Sequence, residues 1–184
     1  MIICVGSVFL DHIVKIDSFP KKPIKVLAQG IEKRLGGSAA VASFTIKKLG
    51  INTSFIGRLG NDDASKFLKN ELKKFKIKHN NIVEIKGVKS SQSFVYEDKR
   101  GERLLAAFSE KKLLNDKKLP KITFKKNTTV MSDLRWVEAT LYIAKNCNKN
   151  NLNHIVDLDN YELNKKIRQI IHLSSHPIFS ETGA

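Results

Sequence analysis

Cysteine is almost missing from this sequence: 184 residues hold two, Cys4 and Cys147. Cys4 falls in an apolar N-terminal run and Cys147 near the end of a helical pattern. No disulfide framework or zinc spacing can be drawn from them, and a reducing, cytoplasmic setting is expected. Long hydrophobic runs are missing too. Nowhere do 18 apolar residues follow one another, so no membrane span is expected. The opening MIICVGSVFLDHIV lacks a basic leader and reaches Asp11 early, which reads as strand and not as a signal peptide. Acidic residues are scarce, 18 Asp and Glu against 33 Lys and Arg, for a formal charge of +15. No aromatic-interleaved basic motif or RNA-binding signature accompanies the lysines, which are spread over many segments and densest at 109–127. Weak attraction to any polyanion is expected, with a basic nucleic-acid binder as an alternative reading. A Walker A loop is absent as well.

What is present is a series of short buried runs alternating with amphipathic ones. Residues 34–50, RLGGSAAVASFTIKKLG, put a diglycine at the entrance to a helix. Ala39, Ala42, Ile46 and Leu49 recur at helical spacing, with Lys47 and Lys48 on the other side. Gly37 or Ser38 can cap the start, and Gly50 stops the end. Two readings of the diglycine stay open, a tight turn and a place where a ligand approaches the backbone.

Residues 2–5, 53–57, 129–131 and 154–157 read as short buried strands, and 62–75, 137–147 and 161–171 as helices. A last apolar piece covers 177–179. Segments 91–97 and 102–108 flank the turn Asp98-Lys99-Arg100-Gly101 as a hairpin. Buried strands alternating with helices predict an α/β fold, a mostly parallel sheet with helices on both faces. The alternating segments 13–35 and 81–108 do not fit that sheet and are assigned to a small second one.

Five segments in order, GSVFLD (6–11), LGGSAAVAS (35–43), FIGRLGNDD (55–63), SSQS (90–93) and HPIFSETG (176–183), resemble the ribokinase-type (PfkB) carbohydrate kinases over nearly the whole chain. The resemblance implies a Rossmann-like layer carrying a small β-sheet lid, through which members often form homodimers. It implies transfer of the ATP γ-phosphoryl, with Mg2+, to the hydroxyl of a sugar or sugar acid. DLRW (133–136), RGER (100–103) and SSQS look most like sulfofructose kinases, which implies an anionic ketose bearing a sulfonate.

On that resemblance Asp11, taken to end the first strand at the ligand-binding carboxyl edge, orients the sugar through two hydroxyls. Capping a turn is its other reading. Gly36, Gly37 and Ser38 lie against the sugar. Arg135, just after the third buried strand, offers a fork of donors to an anionic group; an ion pair with Glu138 is the alternative. Lys25 in the lid helps grip the sulfonate. Ser91 and Ser93 offer substrate contacts, or are solvent-facing strand polarity. His12 receives no role, Trp136 packs under the site, and His172 and His176 are not expected to hold a metal. The asparagine that sulfofructose kinases place after the GER turn is replaced near Ala107.

In this family the catalytic base and anion hole come from a Gly-Ala-Gly-Asp segment, and no such segment occurs in these residues. The metal-linked Asn-x-x-Glu pattern is represented only by SETG (180–183), with Glu181. The expectation is a single, C-terminally incomplete kinase domain over 1–184. It would bind substrate without a catalytic base or a productive ATP site, and be inactive alone. A non-catalytic sugar-binding or dimerisation module is the alternative.

Overall fold

A computed structural model describes residues 1–115, 118–159 and 162–180. Glu181, and Tyr161 where a helix was expected to begin, lie outside the described residues.

Strand β1 (Ile2–Gly6) is buried at four of its five positions, the mark of a strand covered on both faces. It is the third of six parallel strands counted from the β5 edge. The set is β1, β4 (Thr53–Leu59), β5 (Val83–Glu84), β8 (Thr129–Asp133), β9 (His154–Asp157) and β10 (His176–Ile178), in the order β10-β9-β8-β1-β4-β5. Alternate residues serve opposite faces. Cys4, Phe55 and Leu59 pack against α1 (Ser38–Lys48) and α2 (Asp63–Lys74). Ile3, Val5, Ile56 and Val130 pack against α4 (Val137–Lys149). Helix α5 (Lys165–Leu173) buries Ile167 and Ile170 against Val156 on β9.

The smaller sheet contains β2 (Phe9–Lys15), β3 (Gly30–Gly36), β6 (Gln92–Glu97) and β7 (Arg103–Phe108), in the order β3-β2-β6-β7. The pairs β2–β3 and β6–β7 are antiparallel, while β2–β6 is parallel. This sheet begins at Phe9, ahead of the expected residue 13, and β5 belongs to the larger sheet instead. Asp11 therefore lies inside β2 and does not end the first strand. The break comes at Gly6, whose φ is 151° and where a Cβ would stand 2.5 Å from the Asp133 carboxylate. Ser7 and Val8 then carry the chain from one sheet to the other.

The second entry into the small sheet is anchored as firmly. Asp62 caps α2 by accepting the Ser65 N–H at 2.9 Å, and it also accepts the Ser90 N–H at 2.9 Å and hydroxyl at 2.7 Å. Ser90 Oγ in turn accepts the Gly60 N–H at 3.0 Å, just before β6 starts. On the larger sheet, His154 is fully buried between the hydroxyls of Ser132 (2.8 Å) and Ser174 (2.9 Å). Burial pushes its pKa down to about 4, so the ring is neutral. Among the described residues no helix is long and apolar enough to cross a membrane.

Candidate functional site

The carboxyl rim of the large sheet is organised by Asp133, the last residue of β8 and nearly fully buried. One oxygen accepts the Ser7 N–H (2.8 Å), the Ser7 hydroxyl (2.6 Å) and the Ala39 N–H (3.2 Å). The other accepts the Arg135 N–H at 3.0 Å. Burial pushes this carboxyl above the usual carboxylate range, opposed by the four donors. The result is one carboxylate joining the β1–β2 crossing, the first turn of α1 and the 3-10 turn Leu134–Trp136.

Beside this hub lies Asp11. It faces Ser93 across the β2–β6 pair and receives that hydroxyl at 2.5 Å. Its carboxylate rests on the Gly36 backbone, where an added Cβ would lie 2.0 Å from Oδ2. Burial raises the Asp11 carboxyl, partly offset by Ser93 and by His12. Gly37, with φ 92°, is the N-cap of α1, and a Cβ there would meet the Ser7 carbonyl at 2.7 Å. The diglycine is thus a tight turn, and what closes on it here is the chain's own Asp11 carboxylate and Ser7 backbone. Ser38 follows as the first residue of α1. His12 turns away, bonding Gln92 at 2.8 Å and stacking on Phe94 at 4.8 Å.

A cavity of about 930 Å³ opens between the two sheets, lined along one wall by the Gly6–Phe9 crossing. Ser91, Ala107 and Ser109 line it from the small sheet; Arg58, Arg135 and Trp136 line it from the large one. Ser91 and Ser109 share a hydroxyl–hydroxyl bond of 2.7 Å. Arg58, a buried residue of β4, donates to the carbonyls of Leu114 (2.6 Å) and Arg135 (3.1 Å). Leu114 ends the short helix α3 (Lys111–Leu114). The Arg58 guanidinium lies 4.7 Å from the centroid of Trp136, which is itself 3% exposed.

Of the residues expected from sequence, Asp11, Gly36, Gly37, Ser38 and Ser93 gather beside the crossing, and Ser91 and Arg135 line the cavity. Lys25 lies exposed in the loop between β2 and β3 and does not line it. Arg135 approaches Asp159 at 4.0 Å, a surface ion pair of the kind left open as its alternative, with Asp159 where Glu138 was the example; Glu138 pairs with Lys166 at 2.5 Å. Ser93 serves Asp11 instead of solvent. Sequence reasoning missed Asp133 as a hub and Arg58 as a brace. Each had one signal, a charged residue ending or interrupting an apolar strand. Among the described residues no group of three His, Cys, Asp or Glu side chains is placed to hold a metal ion.

A parallel sheet whose carboxyl rim meets a second sheet over a cavity lined by Arg58 and Arg135 defines an α/β domain with its cavity where open α/β sheets bind ligands. Residues 1–182 match the pfkB family of carbohydrate kinases, and the chain belongs to that family. It is 26% identical to a nucleoside kinase of Methanocaldococcus jannaschii over 103 residues, 56% of this chain and 34% of that protein. A crystal structure of an Agrobacterium tumefaciens protein assigned as a ribokinase superposes with a TM-score of 0.89 at 25% identity, covering 99% of this chain and 60% of that one. Arabidopsis thaliana ribokinase, solved with ribose and ATP, superposes with a TM-score of 0.67 at 22% identity, covering 85% of this chain and 53% of its own. The chain thus spans about a third of the curated relative and 60% of the first of these structures.

Proposed function

We propose that this chain is the sugar-binding, lid-bearing portion of a carbohydrate kinase, and that its ligand is an anionic ketose such as sulfofructose. One observation carries the reading. A hydroxyl-accepting end (Asp11, set by Ser93 and Gly36) and a cationic end (Arg135, braced by Arg58) flank the chain crossing that Asp133 fastens at Ser7. Asp11 accepts two neighbouring hydroxyls and fixes which face of the sugar is presented. The Ser38 N–H at the start of α1 adds a donor, since those of Ala39 and Ala40 already serve Asp133 and the Ser7 carbonyl. Arg135 binds the anionic group by charge-assisted hydrogen bonds, each contributing about 1.5–3 kcal/mol. The small sheet closes over the ligand as a lid. Its exposed Ile31, Phe94, Leu104 and Phe108 share one face of the sheet and offer it to a homodimer.

ATP with Mg2+ supplies the γ-phosphoryl in the complete enzyme. The Gly-Ala-Gly-Asp segment that carries the base is absent from these 184 residues, so this portion by itself binds without turning over. Calorimetry with sulfofructose, fructose 6-phosphate, fructose and adenosine tests the reading. Anionic ketoses should bind most tightly, and Arg135→Ala should cut their advantage over fructose at least about tenfold. Tightest binding by adenosine would overturn the reading in favour of a nucleoside. A preference unchanged in Arg135→Ala would remove the anionic ketose.

A further inference from the structure

Trp136 is the chain's single tryptophan. Its indole Nε1 is the one buried side-chain nitrogen or oxygen without a hydrogen-bond partner among the described residues. Such an orphan is costly, because the donor has given up water and gained nothing. Nothing local satisfies it. Trp136 packs with Ile3, Val5, Ala139 and Ile143, apolar side chains that offer its N–H no acceptor. The indole sits in the cavity wall, stacked on the Arg58 guanidinium, and directly follows Arg135 in the rim turn.

We propose that the Trp136 indole N–H is a ligand donor. It would bind an oxygen of a tetrahedral oxyanion, the sulfonate or phosphate of an anionic ketose, alongside Arg135. The assignment deepens the reading above and rests on it. The charge at this end of the cavity suits such a group, since Arg135 and Arg58 both line it. The nitrogen is closed to water, so the oxyanion reaches it through a small shift of the indole or of α3. Arg58 spans those two walls, bonding the Leu114 carbonyl on one and stacking on Trp136 on the other. A donor kept unsatisfied until ligand arrives lowers the stability of the free protein and raises the affinity of the bound one. These opposite signs separate a binding role from a packing role.

The test replaces the single tryptophan by β-(3-benzothienyl)alanine, which keeps the bicyclic shape and removes only the N–H. Sulfofructose, fructose 6-phosphate and fructose are then titrated against both forms of the chain. The expected result is at least about a tenfold loss of affinity for the two oxyanion sugars and none for fructose. The melting temperature of the free analogue should be higher, by about 2 °C or more. Relative loss for the sulfonate against the phosphate tells which oxyanion the donor serves. Trp136→Phe serves as the second variant for affinity, with the same expected loss for the two oxyanion sugars; the void its smaller ring leaves excludes it from the stability comparison. Wild-type binding with unchanged affinity in both replacements overturns this inference and leaves the proposed function standing. Absence of wild-type binding to every anionic ketose overturns the proposed function itself, and this inference with it.

Discussion

Ser7 gives both its backbone N–H and its hydroxyl to the same oxygen of Asp133, at 2.8 and 2.6 Å. Asparagine at 133 has one acceptor where four donors converge, so its amide N–H₂ must face a donor. Asp133→Asn should lower stability by about 1–3 kcal/mol, the cost of stranding a buried donor, measured by urea unfolding. Ligand affinity should fall in parallel, because the crossing, the start of α1 and the Arg135 turn all lose their shared anchor. A variant as stable as wild type would show that the hub is dispensable.

Asp11 and Ser93 should separate by function. Asp11→Asn keeps the volume and loses the charge, and sugar affinity measured by calorimetry is expected to drop at least about tenfold. Ser93→Ala leaves the carboxylate in place without the donor that orients it at 2.5 Å. Its expected effect is smaller and confined to binding. A larger loss from Ser93→Ala than from Asp11→Asn would contradict the assignment of Asp11 as the group that touches sugar.

The two adjacent glycines should fail differently. In Gly36→Ala the new methyl meets the Asp11 carboxylate at 2.0 Å, a side chain that can swing aside. Binding should suffer more than stability. In Gly37→Ala the methyl meets the Ser7 backbone at 2.7 Å in a left-handed conformation, φ 92°. Neither obstacle can move cheaply, and a destabilisation of about 1–3 kcal/mol is expected. Thermal melts paired with sugar titrations distinguish the two patterns; identical profiles would argue against them.

His154 makes stability depend on pH. An unfolded histidine titrates near 6.5, whereas burial holds this one at about 4. Between those values the unfolded chain takes up a proton that the folded chain refuses. The contribution of the neutral ring is therefore complete above pH 6.5 and is lost as pH falls toward 4, by on the order of 3 kcal/mol in all. Urea midpoints across that window should decline in wild type and decline less in His154→Gln. Parallel slopes would show that other groups set the acid limit.

Much of the fold was legible because buried parallel strands are short and apolar. The runs at 2–5, 53–57, 129–131 and 154–157 are β1, β4, β8 and β9, and the Asp98–Gly101 turn joins β6 to β7. The passage from β1 to β2 was hidden inside one apolar run, MIICVGSVFLDHIV. Only the backbone at Gly6 and the bonds of Ser7 show where the chain changes sheet, and those depend on Asp133, 126 positions away. The site was legible as single residues, Asp11, Gly36, Gly37 and Arg135, but not as a connected object. Asp133, Arg58 and the Trp136 N–H take their meaning from partners brought near by folding. Lys25 looked informative only as one cation in a lysine-rich chain.

Each entry into the small sheet is fastened at the rim of the large one, by Asp133 at Ser7 and by Asp62 at Ser90. The sugar proposed above would then sit at the pivot, while the far tips, the 17–29 loop and the Asp98–Gly101 turn, lie at the ends of the lever. Any adjustment around Asp11 on binding would be magnified along that arm. Probes on those distant tips, not on the pivot, will register occupancy most plainly.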